Sequence, residues 1–184
     1  MTPSIIELKA DHTDHHVARM AAFAVGLSVA EAALPSPLPG VKPGLANIVT
    51  LLVLQRYGLR TAVWVSLLRV VASSLFLGGF LSPSFVLSLG GAIASLSMLA
   101  LTRNLPPAFF GPVSFSIFAA VAHIAGQLGV VYAWLIPHAG LFYLVPIFAA
   151  AALLFGTANG LIAARLIAAP SATPHQQPLQ TAQH

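Results

Sequence analysis

The chain contains no cysteine and very few charged residues, and both shortages limit what it can be. Without cysteine it can form no disulfide, no thiolate metal site and no cysteine nucleophile. Charged residues make up only 7% of the sequence, hydrophobic residues make up 58%, and the mean hydropathy is +0.89. A soluble globule of 184 residues needs far more polar side chains to cover its surface. The composition therefore indicates an integral membrane protein.

Acidic residues are equally scarce, and this excludes several kinds of catalytic site. The chain has four of them: Glu7, Asp11 and Asp14 lie near the N-terminus, and Glu31 lies in an apolar segment. Sites for several Mg²⁺ ions need many carboxylate oxygens, which these residues cannot supply together. The phosphate-binding pattern G-x-x-x-x-G-K-[ST] is also missing. We therefore predict that the protein is not an enzyme and carries neither a cofactor nor a bound metal.

The apolar residues group into six segments, which predict an all-α bundle of six transmembrane helices over residues 17–169. Two polar tails, 1–16 and 170–184, are predicted to be disordered. The second segment is short, so a re-entrant hairpin arm is an alternative to a full span. The segments are 17–34, 44–57, 59–80, 85–101, 113–135 and 141–169.

The positive charges predict the orientation of these spans. The net charge of +4 reflects eight scattered Lys and Arg residues that form no basic patch, so a nucleic-acid partner is not expected. If both termini are cytoplasmic, six of the eight cations lie inside, as the positive-inside rule requires. Lys42 then lies in an outer loop and Arg69 within a span. The six inner cations are Lys9, Arg19, Arg56, Arg60, Arg103 and Arg165.

A shaped turn precedes the second segment and contains a lysine. Proline and glycine restrict or extend the backbone conformations of Pro39-Gly40-Val41-Lys42-Pro43-Gly44, so the turn would aim the Lys42 ammonium in a fixed direction. Asn47 follows at the start of the second span. A plain surface turn with a solvated Lys42 is the alternative reading.

Two spans carry polar stripes at helical spacing. In the third segment Arg69 lies on a mostly small and polar face, and a charge at membrane depth normally faces a cavity, a partner or a ligand. In the fifth segment His123 and Gln127 are one turn apart beside Gly126. These groups could bind a ligand, relay a proton or tie helices together. Arg69 could instead pair with backbone carbonyls or with Glu31. The stripes are Ala62, Ser66, Arg69, Ser73 and Phe76, and Ser116, Ala120, His123 and Gln127.

The first span carries a ridge of small residues at four-residue steps, on which another helix could lie. Such ridges serve internal packing more often than partner binding. The ridge consists of Ala18, Ala22, Gly26 and Ala30.

The quoted residues resemble a known bacterial family over about 34–165. The runs PGVKPGLANIVTLLVLQRYGLR, SLLRVVASSLFLGGFLSPSFVLSLGGA and AVAHIAGQL are similar to the Gx transporters, also labelled heptaprenyl diphosphate synthase component I. That family resembles the substrate-binding S components of energy-coupling-factor transporters. These are six-helix proteins that capture a vitamin or related molecule and pass it on with a shared ATPase module.

The resemblance implies a function and roles for individual residues. It implies uptake of a small solute across the bacterial cytoplasmic membrane, with a membrane coupling subunit and ATPases supplied by other chains. The loop that carries Lys42 would cap an outward-facing site, and the Ala18, Ala22, Gly26 and Ala30 ridge would dock the coupling subunit. We expect the solute to be anionic and to contact Lys42, Asn47, Arg69, His123 and Gln127.

Two other functions remain open at this point. One is a non-catalytic membrane subunit associated with polyprenyl diphosphate or quinone synthesis. The other is a stand-alone proton-coupled carrier that uses Glu31 and His123.

Overall fold

The computed structural model describes residues 12–33, 44–106 and 110–169, and this part of the chain is almost entirely helical. A short π-helix, Val131–Leu135, and a 3₁₀ helix, Ala139–Leu144, separate the last two α-helices. The five α-helices are α1 (His12–Ala33), α2 (Leu45–Phe76), α3 (Pro83–Thr102), α4 (Pro112–Val130) and α5 (Val145–Ala168).

Local sequence signals explain where these helices begin. Proline occupies the first or second position of α3, α4 and α5, where its missing N–H costs no hydrogen bond. The hydroxyl of Ser82 accepts a hydrogen bond from the Phe85 N–H at 3.3 Å and so caps α3. Apolar side chains on all faces then suit these helices to lipid and to one another.

Helix α2 reverses direction at Gly58, whose φ of 83° and ψ of 177° interrupt the helix. Along a continuous helix, Asn47 and Arg69 would lie about 33 Å apart, at roughly 1.5 Å per residue. Both nevertheless line one cavity, and Val53 and Ala62 share one buried cluster with α1. Residues 45–57 (α2a) and 59–76 (α2b) therefore lie side by side and antiparallel. The positive φ explains why a glycine stands at the bend.

The prediction of six separate helices is wrong as a count, because the described residues contain five α-helices. The predicted second and third segments form one helix, α2, divided by a single residue rather than by a loop. The third segment was also expected to reach residue 80, but α2 ends at Phe76. At the N-terminus the helix begins at His12, so residues 12–16 belong to α1 and not to a disordered tail.

Four helical stretches are long and apolar enough to cross a membrane, among the residues that the structure describes. They are Leu45–Phe76, Pro83–Thr102, Pro112–Leu135 and Ala139–Ala168. Helix α1 does not qualify, although it was predicted as a span, because Arg19, Glu31 and its polar first turn reduce its mean hydropathy. It packs against α2 through Ala21 and Ala24, which are buried. The protein is thus a helical membrane protein.

Glycines allow the close contacts of the last three long helices. A Cβ at Gly126 of α4 would lie 2.7 Å from the Gly90 carbonyl oxygen of α3. A Cβ at Gly160 of α5 would lie 2.7 Å from the Val113 Cα of α4. Both distances are shorter than van der Waals contact, so only glycine permits these helix pairs to approach so closely. The Gly156-x-x-x-Gly160 motif therefore serves internal packing.

The bundle has two unlike ends. One end, the arginine end, carries the Gly58 bend, and there Arg56 Nη2 donates a hydrogen bond to the Leu166 carbonyl at 3.3 Å. Beneath it lies a buried apolar cluster that includes Leu51, Leu99 and Phe115. The other end, the cavity end, carries Gly44 and the α2–α3 connection. The arginine end is defined by Arg19, Arg56, Arg60, Arg103 and Arg165.

Candidate functional site

A cavity of about 250 Å³ opens at the cavity end, between segments of all five helices. Its volume is slightly below the roughly 300–1,000 Å³ of typical small-molecule sites. Polar groups come from every helix, which is unusual for space enclosed by membrane helices. The polar lining residues are Ser28, Asn47, Arg69, Ser73, Ser74, Ser84, Ser88, His123, Gln127 and Asn159.

Four of the five predicted binding residues line this one cavity. Asn47 comes from α2a, Arg69 from α2b, and His123 and Gln127 from α4. They meet because α2 folds back at Gly58 and because α4 turns its polar stripe toward α2b. The fifth residue, Lys42, lies outside the described residues, two positions before Gly44, which also lines the cavity. Ligand binding by these residues stays a prediction.

Arg69 is the charged group among the described lining residues, and it is only 8% exposed. Within residues 12–33, 44–106 and 110–169, no acceptor reaches its Nε. Glu31 is near enough to interact with Arg69 electrostatically, but the described carboxylates form no ion pair with it. Arg69 and Glu31 therefore interact electrostatically without a direct ion pair, and a structural role for Arg69 stays an alternative. A buried guanidinium with an unused donor is costly unless an anion completes it.

Glu31 is hydrogen-bonded to a backbone group rather than paired with Arg69. Its carboxylate accepts a hydrogen bond from the N–H of Gly44, the residue that precedes α2. Gly44 adopts a left-handed conformation with φ of 73°, and the Asn159 side chain donates to its carbonyl at 3.2 Å. These bonds join the ends of α1 and α2 and the middle of α5. They fix the rim of the cavity next to Asn47.

His123 is held in one orientation by α3. A Cβ at Gly91 would lie 2.7 Å from His123 Nε2, so glycine leaves the space that the imidazole ring fills. The ring also hydrogen-bonds to the Gly91 backbone. Its other nitrogen, Nδ1, is buried and finds no partner in the described part of the chain. The cavity therefore contains two unsatisfied side-chain nitrogens, one on Arg69 and one on His123.

The predicted stripes face inward, with one exception. Ala62, Ser66 and Arg69 are buried and Ser73 lines the cavity, but Phe76 is 79% exposed. Phe76 is the last residue of α2, where the helix has passed the rim of the bundle. In α4, all four stripe residues, Ser116, Ala120, His123 and Gln127, line this cavity or a smaller one beneath it.

The smaller cavity, of about 10 Å³, lies between the main cavity and the apolar cluster. Its volume is close to that of one water molecule. It shares Asn47 and Asn159 with the main cavity, and it is also lined by the buried hydroxyls of Thr50, Ser66, Ser95 and Ser116. Thr50 Oγ1 has no hydrogen-bond partner among the described residues.

Sequence reasoning missed the contribution of α3. Ser84 and Ser88 are one turn apart and both line the main cavity, while Ser95 lines the smaller one. The spacing of three and four residues that revealed the other two stripes is present here as well. Ser28 of α1 gives no such signal, because a single serine in an apolar helix is common.

The small ridge of α1 faces away from the bundle. All four of its residues are exposed, and a Cβ added at Gly26 would meet nothing within 4 Å. The opposite face of α1, with Ala21 and Ala24, packs on α2. Among the described residues, the ridge is therefore not used for internal packing. The ridge is Ala18, Ala22, Gly26 and Ala30.

Comparison with known proteins identifies the family. Among curated proteins and among solved structures, none matches the chain. The family model described as heptaprenyl diphosphate synthase component I matches residues 20–166, which include α2 to α4 and most of α1 and α5. The four described residues of the predicted binding set all lie within the matched region. This match covers most of the sequence, so the chain belongs to the heptaprenyl diphosphate synthase component I family.

Proposed function

We propose that the protein is a solute-binding subunit of the bacterial cytoplasmic membrane that captures a small anion for uptake, in the manner of an S component. One observation carries this proposal: Arg69 is buried at membrane depth, lines a cavity, and has an Nε donor without a partner in the described residues. An anionic solute would supply the missing acceptor and would offset the cost of the buried charge.

The arrangement of charge supports an outward-facing site. Five arginines lie at the end of the bundle opposite the cavity, and the positive-inside rule assigns that end to the cytoplasm. With α2a and α2b counted as separate crossings and α1 as another, the chain would cross six times and both termini would be cytoplasmic. Helix α2a, about 20 Å long, would begin within the bilayer, so that Gly44 lies at the depth of the cavity.

Transport would need other chains, because the sequence contains no P-loop. The exposed Ala18, Ala22, Gly26 and Ala30 ridge supports docking of a membrane coupling subunit, since its small side chains allow another helix to approach. ATPase subunits would act through that partner. Lys42, two positions before Gly44 in the sequence, would meet the solute as it enters.

A second candidate function rests on the description of the family. By that description the chain would be a membrane subunit that assists polyprenyl diphosphate synthesis. The described residues would have no catalytic part in such a role, because their two carboxylates, Asp14 and Glu31, lie at opposite ends of α1. Along that helix they are about 26 Å apart, too far to share metal ions. A stand-alone proton-coupled carrier using Glu31 and His123 is a further alternative.

Solute binding by the purified full-length protein tests the proposal. Thermal unfolding in detergent would be followed with a panel of vitamins, organic acids and prenyl precursors, since a bound ligand raises the unfolding temperature. We expect Arg69→Met to weaken binding by about 1.5–3 kcal/mol, the value of a hydrogen bond to a charged group. Arg69→Lys should restore only part of the solute affinity, because an ammonium lacks the planar, two-pronged donor geometry of a guanidinium.

Three results would contradict the proposal. Unchanged affinity in Arg69→Met, with the fold intact, would mean that Arg69 serves only the architecture. Binding of a soluble prenyl synthase subunit without binding of any solute would favour the second candidate. Uptake by the chain alone in proteoliposomes, driven by a proton gradient, would favour the carrier.

A further inference from the structure

Among the described residues, one positive and one negative charge lie at the main cavity, and this limits the negative charge that a ligand can carry inside it. Arg69 contributes a positive charge inside the cavity. The Glu31 carboxylate contributes a negative charge at the rim, where it accepts the Gly44 N–H and interacts electrostatically with Arg69. A ligand with one negative charge can pair with Arg69. A second negative charge would find no described cation to match it and would be repelled by Glu31.

His123 adds a requirement for a hydrogen-bond donor. Its ring is hydrogen-bonded to the Gly91 backbone and has a buried Nδ1 without a partner in the described residues. Because Nδ1 has no partner there, Nε2–H is the group that donates to the Gly91 backbone. A neutral imidazole that donates from Nε2 has a lone pair at Nδ1 and can only accept there. A ligand completes this site with a hydroxyl or an N–H.

The remaining wall of the cavity is apolar. The side chains of Phe85 and Leu87 on α3, Ile124 on α4 and Phe155 on α5 complete the lining. These groups offer contact to a hydrocarbon or aromatic body but no hydrogen bonds. The polar nitrogens and the apolar wall belong to one cavity of about 250 Å³, so both parts of the ligand must be small.

We infer that the solute is a small organic acid with a single negative charge, a hydroxyl or N–H group near that charge, and an apolar body. This inference rests on the proposed function and specifies its substrate class. The acid group pairs with Arg69, the donor meets His123 Nδ1, and the body lies against Phe85 and Phe155. A prenyl diphosphate does not fit this description, because its head carries several charges.

Matched probes separate the three requirements. Binding to the full-length protein in detergent would be measured by calorimetry at mildly alkaline pH with mandelate, phenylacetate, phenyl phosphate and geranyl diphosphate. Mandelate has one charge and a hydroxyl, phenylacetate lacks the hydroxyl, and phenyl phosphate carries two charges. We expect mandelate to bind about tenfold more tightly than phenylacetate, which corresponds to one hydrogen bond. Phenyl phosphate should bind at least about tenfold more weakly than mandelate, and geranyl diphosphate should not bind.

Two variants test the origin of this selectivity. Glu31→Gln keeps an acceptor for the Gly44 N–H but removes the negative charge, so affinity for phenyl phosphate should rise by about tenfold. Asp14→Asn removes the other described carboxylate, which lies at the far end of α1. This control should leave the affinity for phenyl phosphate unchanged. His123→Leu should weaken mandelate binding more than phenylacetate binding, so that the preference between the two probes disappears.

Two outcomes would overturn the inference. The first is phenyl phosphate or geranyl diphosphate binding as tightly as mandelate in the unmodified protein. The second is no binding of any of the four probes. The proposed function would fail separately, if no solute of the wider panel bound or if Arg69→Met left all solute binding unchanged.

Discussion

The two ends of the bundle are built from the same helices but are packed differently: one end is closely packed and apolar, and the other encloses a polar cavity. At the arginine end, Leu51 and Leu99 are almost completely buried in a continuous apolar cluster. At the cavity end, polar residues of α2b, α3 and α4 surround open space, and some of their donors and acceptors have no partner in the described residues. The surroundings change from apolar to polar within one or two helical turns. In α4, for example, Ala119 belongs to the apolar cluster and His123 lines the cavity.

This difference suggests that stability and binding are assigned to separate halves of the molecule. Close packing at one end, including the glycine contacts of α4 and α5, supplies the interactions that hold membrane helices together. The other end can then keep a buried charge and a cavity, which cost stability. Substitutions at the two ends should therefore have separable effects on unfolding and on binding.

The largest expected effect on stability comes from the apolar cluster. Leu99→Ala should lower the free energy of unfolding by about 2–5 kcal/mol, because it leaves a cavity at a side chain that is 1% exposed. Leu101→Ala, two residues away on the same helix and 76% exposed, is the control and should cost at most about 0.5 kcal/mol. Thermal unfolding in detergent measures both. Equal effects would show that the cluster does not dominate stability.

The close contact of α3 and α4 beside the cavity should follow in size. Gly126→Ala places a Cβ 2.6 Å from the Ala94 Cβ, so α3 and α4 must separate, at a cost of about 1–3 kcal/mol. Gly129→Ala lies on the same helix with nothing within 4 Å of the new Cβ, and it should be neutral or slightly stabilising. Since Gly126 lies one residue from Gln127, solute affinity should fall as well. A stable Gly126→Ala variant with normal affinity would contradict the close approach.

Much of this arrangement can be predicted from the sequence, because a polar residue in a membrane helix normally faces the interior of the bundle rather than lipid. The stripes of α2b and α4 therefore predicted the grouping of Arg69, His123 and Gln127. The sequence also predicted a break at residue 58, between segments 44–57 and 59–80, but not that a single residue rather than a loop joins the two helices. The Glu31–Gly44 bond joins residues on either side of segment 34–43, and no local sequence pattern indicates such a pairing.

A smaller effect is expected at the boundary between the two ends. Thr50 is 4% exposed, and its Oγ1 has no partner in the described residues. Thr50→Val keeps the shape and removes the hydroxyl, so stability should be unchanged or should rise by up to about 1 kcal/mol. Thr61→Val is the control, because the Thr61 hydroxyl donates to the Tyr57 carbonyl at 3.2 Å. A clear loss of stability in Thr50→Val would show that the small cavity holds a water molecule that bonds to this hydroxyl.

The smallest effect on unfolding is expected on the ridge of α1. Gly26→Leu points away from the bundle and should leave both the unfolding temperature and solute binding unchanged. It should nevertheless abolish coupled uptake, because a bulky side chain holds a partner helix away. Ala21→Leu, on the buried face of the same helix, should instead destabilise the fold. Normal uptake with Gly26→Leu would mean that the ridge does not dock a partner.

The most direct test asks which side of the membrane the cavity faces. Because the chain contains no cysteine, Ser84→Cys in the cavity and Gln55→Cys at the arginine end each provide a unique label site. Intact cells would be treated with a membrane-impermeant maleimide, with and without solute. We predict that Ser84→Cys is labelled from outside and protected by solute, and that Gln55→Cys is labelled only after permeabilisation. Labelling of Gln55→Cys from outside, with Ser84→Cys protected until the cells are opened, would contradict an outward-facing solute site.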